Sequence, residues 1–308
     1  MVRYTIRRLF WALVALFGIS LITFALTYFM PGDPARRVAG IGASAATVRS
    51  IRHQLGLDQP FWVQYGRYLG DALHGNFGYS YTLNVPVLPA ILARFPITAQ
   101  LAVGGVIVEL IIGLPTGIIA AYKRGSVADR IATLIALLGL SAPTFWLGLM
   151  LLYYIAFKLG ALPIGGYGSP AIEYLILPSF TLGIGGAAVY TRTFRSTILD
   201  VLDQPYIQMA RSKGLPEAAV LFRHVIPNAI IPIVTQIGID LGYFLGGVFI
   251  VEAVFGLPGI GQQAIEAIQQ LDIPIIMGTV LFAALLIVLS NIVVDLTFAL
   301  IDPRIRYR

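Results

Sequence analysis

Long apolar runs alternate with shorter polar segments along this chain. The runs at 9–30, 99–121, 131–157, 175–190, 229–251 and 275–301 read as membrane-crossing helices, which take about 20 apolar residues each. Pro31 closes the first run, because proline cannot continue a helical hydrogen-bond ladder. The third run is interrupted at Ser141-Ala142-Pro143. The fourth is expected to continue as a polar helix through Arg192, Arg195 and Leu202. Residues 36–96 mix polar and apolar positions. There Ser44 or a neighbour is placed to cap a short helix through Leu55, closed by Gly56. Asp58 is placed to cap a second, with Pro60 in its first turn and Gly75 past its end. Residues 75–86 are turn-rich, and 252–274 read as a loop.

One polar stretch is out of keeping with the rest: DQPYIQMARSKGLPEAAVLFRHVIPN, residues 203–228. Asp203 or Gln204 is placed to cap a helix with Pro205 in its first turn, and Gly214 to stop it. Pro216 and Glu217 start a second short helix whose apolar face is Val220, Leu221 and Val225. Pro227 is expected to end it and Asn228 to cap the next span. The pattern predicts helix, glycine corner, helix: a rigid projection.

Composition assigns the class. The chain is 57% apolar and 12% charged, against about 25% charged in soluble domains. The fold class is therefore an all-α polytopic membrane protein with six transmembrane helices. Arg3, Arg7 and Arg8 ahead of an apolar run resemble a secretory leader. The run is too long, however, and Phe29-Met30-Pro31 offers no small-residue cleavage site, so an uncleaved first span is expected. The net charge of +6 reflects the lysine and arginine excess of cytoplasmic loops rather than nucleic-acid binding. The N-terminus, 122–130, 192–228 and the C-terminus hold three, three, five and three Lys/Arg, which places both termini in the cytoplasm. The expected organisation is residues 1–30 as N-terminus and first crossing, and 31–97 as an extracytoplasmic subdomain. Residues 98–308 then form a five-helix core carrying a cytoplasmic loop at 192–228.

The absence of cysteine excludes disulfides and thiol chemistry. His53, His74 and His224 all fall outside the apolar runs, and no metal site is expected. There is no GxxxxGK[ST], HExxH or GxSxG, and Gly259-Ile260-Gly261 lies in an external loop. Catalysis and a resident cofactor are therefore not expected in this chain.

Acidic residues at membrane depth need an account, because charge there is costly. Glu109 and Asp240 are mid-span, Asp240 four residues after Gln236 and on its face. They support an alternative reading, a proton-coupled secondary transporter. Asn291, Asp295 and Asp302 fall near one face of the last run, where the acids are expected to pair with cytoplasmic Arg or Lys. Gly238, Gly242 and Gly246 open a groove for another helix, in this chain or in a second subunit. The Gly113–Gly117 segment, with Pro115 at its centre, is expected to bend the second span.

The polar stretch resembles the cytoplasmic loop of ABC-importer permeases. The family's EAA, Gly and I-x-L-P positions fall on Gln208-Met209-Ala210, Gly214 and His224-Val225-Ile226-Pro227, with Gln208 in place of the glutamate. Arg7-Arg8-Leu9, Pro31-Gly32-Asp33-Pro34-Ala35, Leu55-Gly56-Leu57-Asp58-Gln59-Pro60, Pro143-Thr144-Phe145-Trp146-Leu147-Gly148, Ala210-Arg211-Ser212-Lys213-Gly214, Arg223-His224-Val225-Ile226-Pro227-Asn228 and Asp302-Pro303-Arg304 resemble the first permease subunit of dipeptide/oligopeptide importers. The resemblance covers essentially the whole chain.

It implies a type I ABC importer permease fold in a prokaryotic inner membrane. It implies three kinds of protein partner: a second permease, ATPase subunits that hold ATP and Mg, and an extracytoplasmic substrate-binding protein. Gln208, Met209, Ala210, Arg211, Lys213 and Gly214 would dock on the ATPase. Arg36, Arg37, Arg49, Arg52 and Glu252 are the expected contacts with the binding protein. Relatives of this kind handle dipeptides, longer peptides, glutathione, nickel chelates or haem.

Overall fold

The computed structural model describes residues 2–40 and 42–301, and their side chains except those of 2–5, 128, 132, 135–138 and 295–301. The expected partners of Asp295 and Asp302, and the Asp302-Pro303-Arg304 segment, lie outside the described residues. The fold is all-α. The described residues contain no β-strand, only an isolated bridge between Tyr79 and Pro86.

Helix α1 (Val2–Tyr28) contains a 23-residue apolar span, Ile6–Tyr28. Most of its side chains are exposed, as suits a helix facing lipid. Ser20, Thr23, Phe24 and Thr27 are the exception and form a buried stripe. Ser20 shares a 2.8 Å hydrogen bond with Tyr65. Three short helices follow: α2 (Pro34–Ala39), α3 (Ala45–Gln54) and α4 (Phe61–Leu73). Ser44 caps α3 as expected, accepting from the Thr47 N–H, and Gly56 follows with φ +67°. Asp58 does not cap α4. Its carboxylate meets His53 at 2.7 Å instead, and Pro60 occupies the cap position.

Helix α5 (Val87–Tyr122) runs 36 residues, about 54 Å at 1.5 Å per residue. It starts well before the expected second span, and Pro96 lies inside it. The end of the 31–97 segment is thus continuous with the bundle. Helix α6 (Val127–Ser141) is followed by a break at Ala142-Pro143. Helix α7 (Thr144–Leu151) then continues as a π-helical turn, Leu152–Lys158. The expected third crossing is therefore two short pieces. Helix α8 (Ala171–Leu202) is one 32-residue helix, which carries the fourth span out to Leu202 as expected.

The polar projection comprises α9 (Pro205–Ser212), α10 (Glu217–Val220), a π turn (Leu221–Val225) and α11 (Ile226–Ala229). Pro227 sits in the first turn of α11 rather than ending the helix. The break comes at Ile230, where the chain bends by 48° into α12 (Ile231–Leu245). Asn228 caps nothing; its amide donates to the His224 carbonyl at 2.7 Å. The segment read as an external loop is largely helical: α13 (Phe249–Phe255) and α14 (Ile260–Gln270) precede the last helix, α15 (Ile273–Ile301). Among the described residues four helices are long and apolar enough to cross a membrane, or five if the bent 217–245 pair is one span, against the six crossings expected.

The bundle is built on glycine contacts. A Cβ on Gly113 would meet the Tyr190 Cβ at 2.5 Å, and one on Gly117 would meet the Phe194 Cβ at 3.1 Å. These residues let α5 and α8 approach closely, a role that the expected bend at Pro115 did not foresee. Thr116 and Thr191 share a 2.6 Å hydrogen bond at the same crossing. The groove at Gly238, Gly242 and Gly246 is filled by α15 of the same chain, through Val294, Ser290 and Ile287. It is therefore not available to a second subunit.

The 31–97 segment is tied to the chain's second half. Asp272, 1% exposed, accepts from the Ser80 hydroxyl and, at 2.6 and 3.1 Å, from the Thr82 hydroxyl and N–H. Arg94 pairs with Glu266 at 3.0 Å, and Arg37 donates to the Gln270 carbonyl. Ionic and charge-assisted contacts thus join elements 172–233 residues apart in sequence into one surface.

Candidate coupling face and buried carboxylates

The projection is anchored from within. Ile207, Val220, Val225 and Ala229 are fully buried, in a cluster with Phe194 and Ile198 of α8 and Ile233 of α12. The expected apolar face at Val220 and Val225 is therefore the anchor. Gly214 adopts φ +80°, a left-handed corner open to glycine at no steric cost. Across that corner the Arg211 Nε donates to Glu217 Oε1 at 2.8 Å and its Nη2 donates to Oε2 at 3.1 Å. This two-point ion pair braces α9 against α10.

The outward side of the projection is apolar and basic. Phe222 is 67% exposed, Met209 60%, Tyr206 43% and Leu215 39%. Gln208, Arg211, Lys213 and Gly214 are also exposed. Ala210 differs from its expected role: it is 7% exposed and belongs to the buried anchor. Arg211 already has its carboxylate partner within the chain. Sequence reasoning missed Tyr206, Leu215 and Phe222 as surface residues, although their spacing around Gly214 was readable.

Close by, the Arg195 guanidinium of α8 grips Asp129 of α6 with two 2.9 Å bonds, and the Gly125 N–H adds a third at 3.0 Å. The Arg195 guanidinium, joined by the Gly125 N–H, holds the Asp129 carboxyl below the usual carboxylate range.

Three further acids are buried or half-buried. Asp240 accepts from the Tyr190 hydroxyl at 2.8 Å and from the Gln236 amide at 2.9 Å. The expected shared face of Gln236 and Asp240 is realised, and Tyr190 joins it from α8. Glu109 is 1% exposed and lies against Gly186, where a Cβ would come within 1.7 Å of its Oε1. Its Oε2 has no hydrogen-bond partner among the described residues.

Glu252 is 0% exposed. Its Oε1 accepts from the Thr98 hydroxyl at 2.6 Å and its Oε2 from the Gln262 N–H at 2.9 Å. Gly259 and Gly261 leave room for the carboxylate. Glu252 therefore fastens the turn between α13 and α14 to α5, and no external partner reaches it in this conformation. The other expected external residues are exposed. Arg36 and Arg49 stand without a side-chain ion partner among the described residues, whereas Arg52 pairs with Asp33 at 2.7 Å. Among the described residues no cluster of His, Cys, Asp or Glu could hold a metal ion.

Solved structures share this architecture. The MetNI methionine ABC transporter in an inward-facing form aligns over 70% of this chain and 98% of its own, with TM-score 0.58 at 19% identity. An amino acid ABC transporter structure, described as with histidines, aligns over 70% of this chain and 94% of its own, with TM-score 0.52 at 20% identity. These establish the type I importer permease fold. The glutathione transport system permease protein GsiC of Escherichia coli (strain K12) is 40% identical over 308 residues, covering both chains entirely. Its counterpart in Shigella dysenteriae matches equally well. Residues 1–102 match the N-terminal model of binding-protein-dependent transport system membrane components, and residues 113–307 match the inner membrane component itself. With a family model over most of its length and a full-length relative at this identity, the chain belongs to the binding-protein-dependent transport system inner membrane components, the non-catalytic permease subunits of ABC importers.

Proposed function

We propose that this permease forms a peptide translocation path with a second, homologous permease and receives its drive through the 203–228 projection. The observation that carries the reading is the two-sided build of that projection. Ile207, Val220 and Val225 are fully buried below, while Met209 and Phe222 stand more than half exposed above. An exposed apolar cap on a fixed base suits a partner that pushes. The partner is an ATPase subunit that holds ATP and Mg. Met209, Phe222 and Leu215 enter its groove, and Gln208 and Lys213 bond at the rim. Closure of the ATPases on ATP moves the projection as a rigid body and reorients the bundle.

The projection and both termini then lie in the cytoplasm, with residues 31–97 and 252–274 outside. An extracytoplasmic binding protein delivers substrate there, and Arg36 and Arg49, which have no side-chain ion partner among the described residues, are available to its acidic surface. The substrate class is short peptides, with glutathione among them, in keeping with what GsiC is named for.

The test reconstitutes the chain with its second permease, ATPase subunits and binding protein in vesicles. Peptide-stimulated ATP hydrolysis is expected, and Phe222→Asp or Met209→Asp should abolish the stimulation. Peptide uptake by the chain alone on a proton gradient, dependent on Glu109 or Asp240, would replace this reading with the proton-coupled one.

A further inference from the structure

A cavity of about 690 Å³ opens where the extracytoplasmic helices meet the outer ends of α1 and α15. That volume is within the range of small-molecule sites, and the cavity lies outside the α5, α8 and α12 core described above. Arg67 and Asp71 line one wall. They are one turn apart on α4, so their side chains share a face. They do not pair with each other, and neither has a side-chain ion partner among the described residues. Arg67 is nonetheless held in place: it donates to Gln59 Oε1 at 2.7 Å and its guanidinium packs against Gly56. Tyr68, on the same helix, also lines the cavity, and its buried hydroxyl has no partner among the described residues.

The level of the cavity in the membrane identifies its environment. Phe24 and Tyr28 at the end of the α1 span, and Ile273 and Met277 at the start of α15, form the apolar floor. Phe29, between the lining residues Tyr28 and Met30, is 76% exposed. Trp62, on the first turn of α4, is 68% exposed, and Leu73, at the end of α4, 79%. Exposed aromatic side chains at the end of a span sit at the membrane–water boundary. Arg52 and Asp33 also line the cavity, but they pair with each other at 2.7 Å. The site therefore offers Arg67, Asp71 and the Tyr68 hydroxyl above an apolar floor.

We propose that this cavity binds the headgroup of a zwitterionic phospholipid, with its phosphate on Arg67 and Tyr68 and its ammonium on Asp71. The acyl chains leave along the exposed face of α1. The same chemistry would accept a free zwitterion such as a short peptide, so the experiment separates the two.

The full chain in mild detergent is titrated with phosphatidylethanolamine, phosphatidylglycerol and phosphatidylcholine of equal acyl length, and bound lipid is counted by native mass spectrometry. Phosphatidylethanolamine should be retained best, because phosphatidylglycerol lacks the ammonium and phosphatidylcholine cannot donate to Asp71. Arg67→Gln and Asp71→Asn should each lower its retention by about tenfold, the loss expected of a charge-assisted bond. Asp71→Asn should also erase the preference over phosphatidylglycerol. Arg130→Gln, an exposed cation in the first turn of α6, should change nothing. If Arg67→Gln does not fold, Tyr68→Phe tests the phosphate end, with a loss of about threefold. Equal retention of the three lipids, or cavity variants that behave like Arg130→Gln, overturns the proposal. Displacement of the lipid by millimolar dialanine would assign the site to a free zwitterion and overturn the lipid assignment.

Discussion

Arg211 and Glu217 close a two-point ion pair, at 2.8 and 3.1 Å, across the left-handed corner at Gly214. Both residues are substantially exposed, 43% and 59% at the side chain, and such a pair contributes at most about 1 kcal/mol to stability. Its consequence is geometric: it fixes the angle between the two arms of the projection. Arg211→Glu should leave folding nearly intact and reduce peptide-stimulated ATP hydrolysis in the reconstituted importer. The exchange Arg211→Glu with Glu217→Arg should recover part of it. No recovery in the double variant would show that Arg211 acts by touching the partner instead.

Gly186 exists to admit Glu109. A methyl group there would come within 1.7 Å of the carboxylate oxygen, so Gly186→Ala should destabilise the bundle by about 1–3 kcal/mol. Adding Glu109→Ala should relieve most of that loss, since the colliding atoms are gone. Thermal unfolding of the single and double variants checks this, and purely additive losses would contradict it.

Glu252 fastens the α13–α14 turn to Thr98. Glu252→Ala would leave the buried Thr98 hydroxyl and the half-buried Gln262 N–H without this acceptor, each costing up to about 1–3 kcal/mol. Gly259→Ala should be nearly as harmful, because its Cβ would lie 2.3 Å from the same carboxylate. Hydrogen exchange across residues 256–264 should accelerate in both variants. Unchanged protection there would remove Glu252 from this role.

Asp129 gives a dependence on pH with a definite sign. Its carboxyl titrates lower in the folded chain than when free. The stabilisation it brings is therefore complete above the unfolded value, about pH 4. It is lost as pH falls through the depressed folded value. The difference in thermal midpoint between the chain and Asp129→Asn should be constant at neutral pH and shrink in acid. A difference that grows in acid would have the wrong sign.

The sequence was most legible where one residue type answers one local demand. Ser44 capped its helix and Gly214 made its corner because both effects lie within four residues of chain. It was less legible at Asp58, where His53 five residues earlier competed for the carboxylate, and at Pro227, where the helix bent later, at Ile230. The helices within 252–274 were hidden because their short apolar pattern does not resemble a span. The 203–228 projection was visible as a polar anomaly. Which of its residues point outward was not: Ala210 and Met209 are neighbours in the motif, yet one is buried and the other is 60% exposed.

By itself the sequence determined the membrane class, the all-α fold and the position of the polar projection. These follow from run length, composition and local helix-stop chemistry, which need no knowledge of what lies across the bundle. Only the tertiary structure decided that Gly113 and Gly117 serve a helix crossing, that α15 fills the Gly238–Gly246 groove, that Glu252 is an internal fastening and that Arg67 and Asp71 face a cavity. Each of these depends on partners distant in the chain, and a glycine, a buried acid or a lone cation acquires its role from the side chains that meet it there.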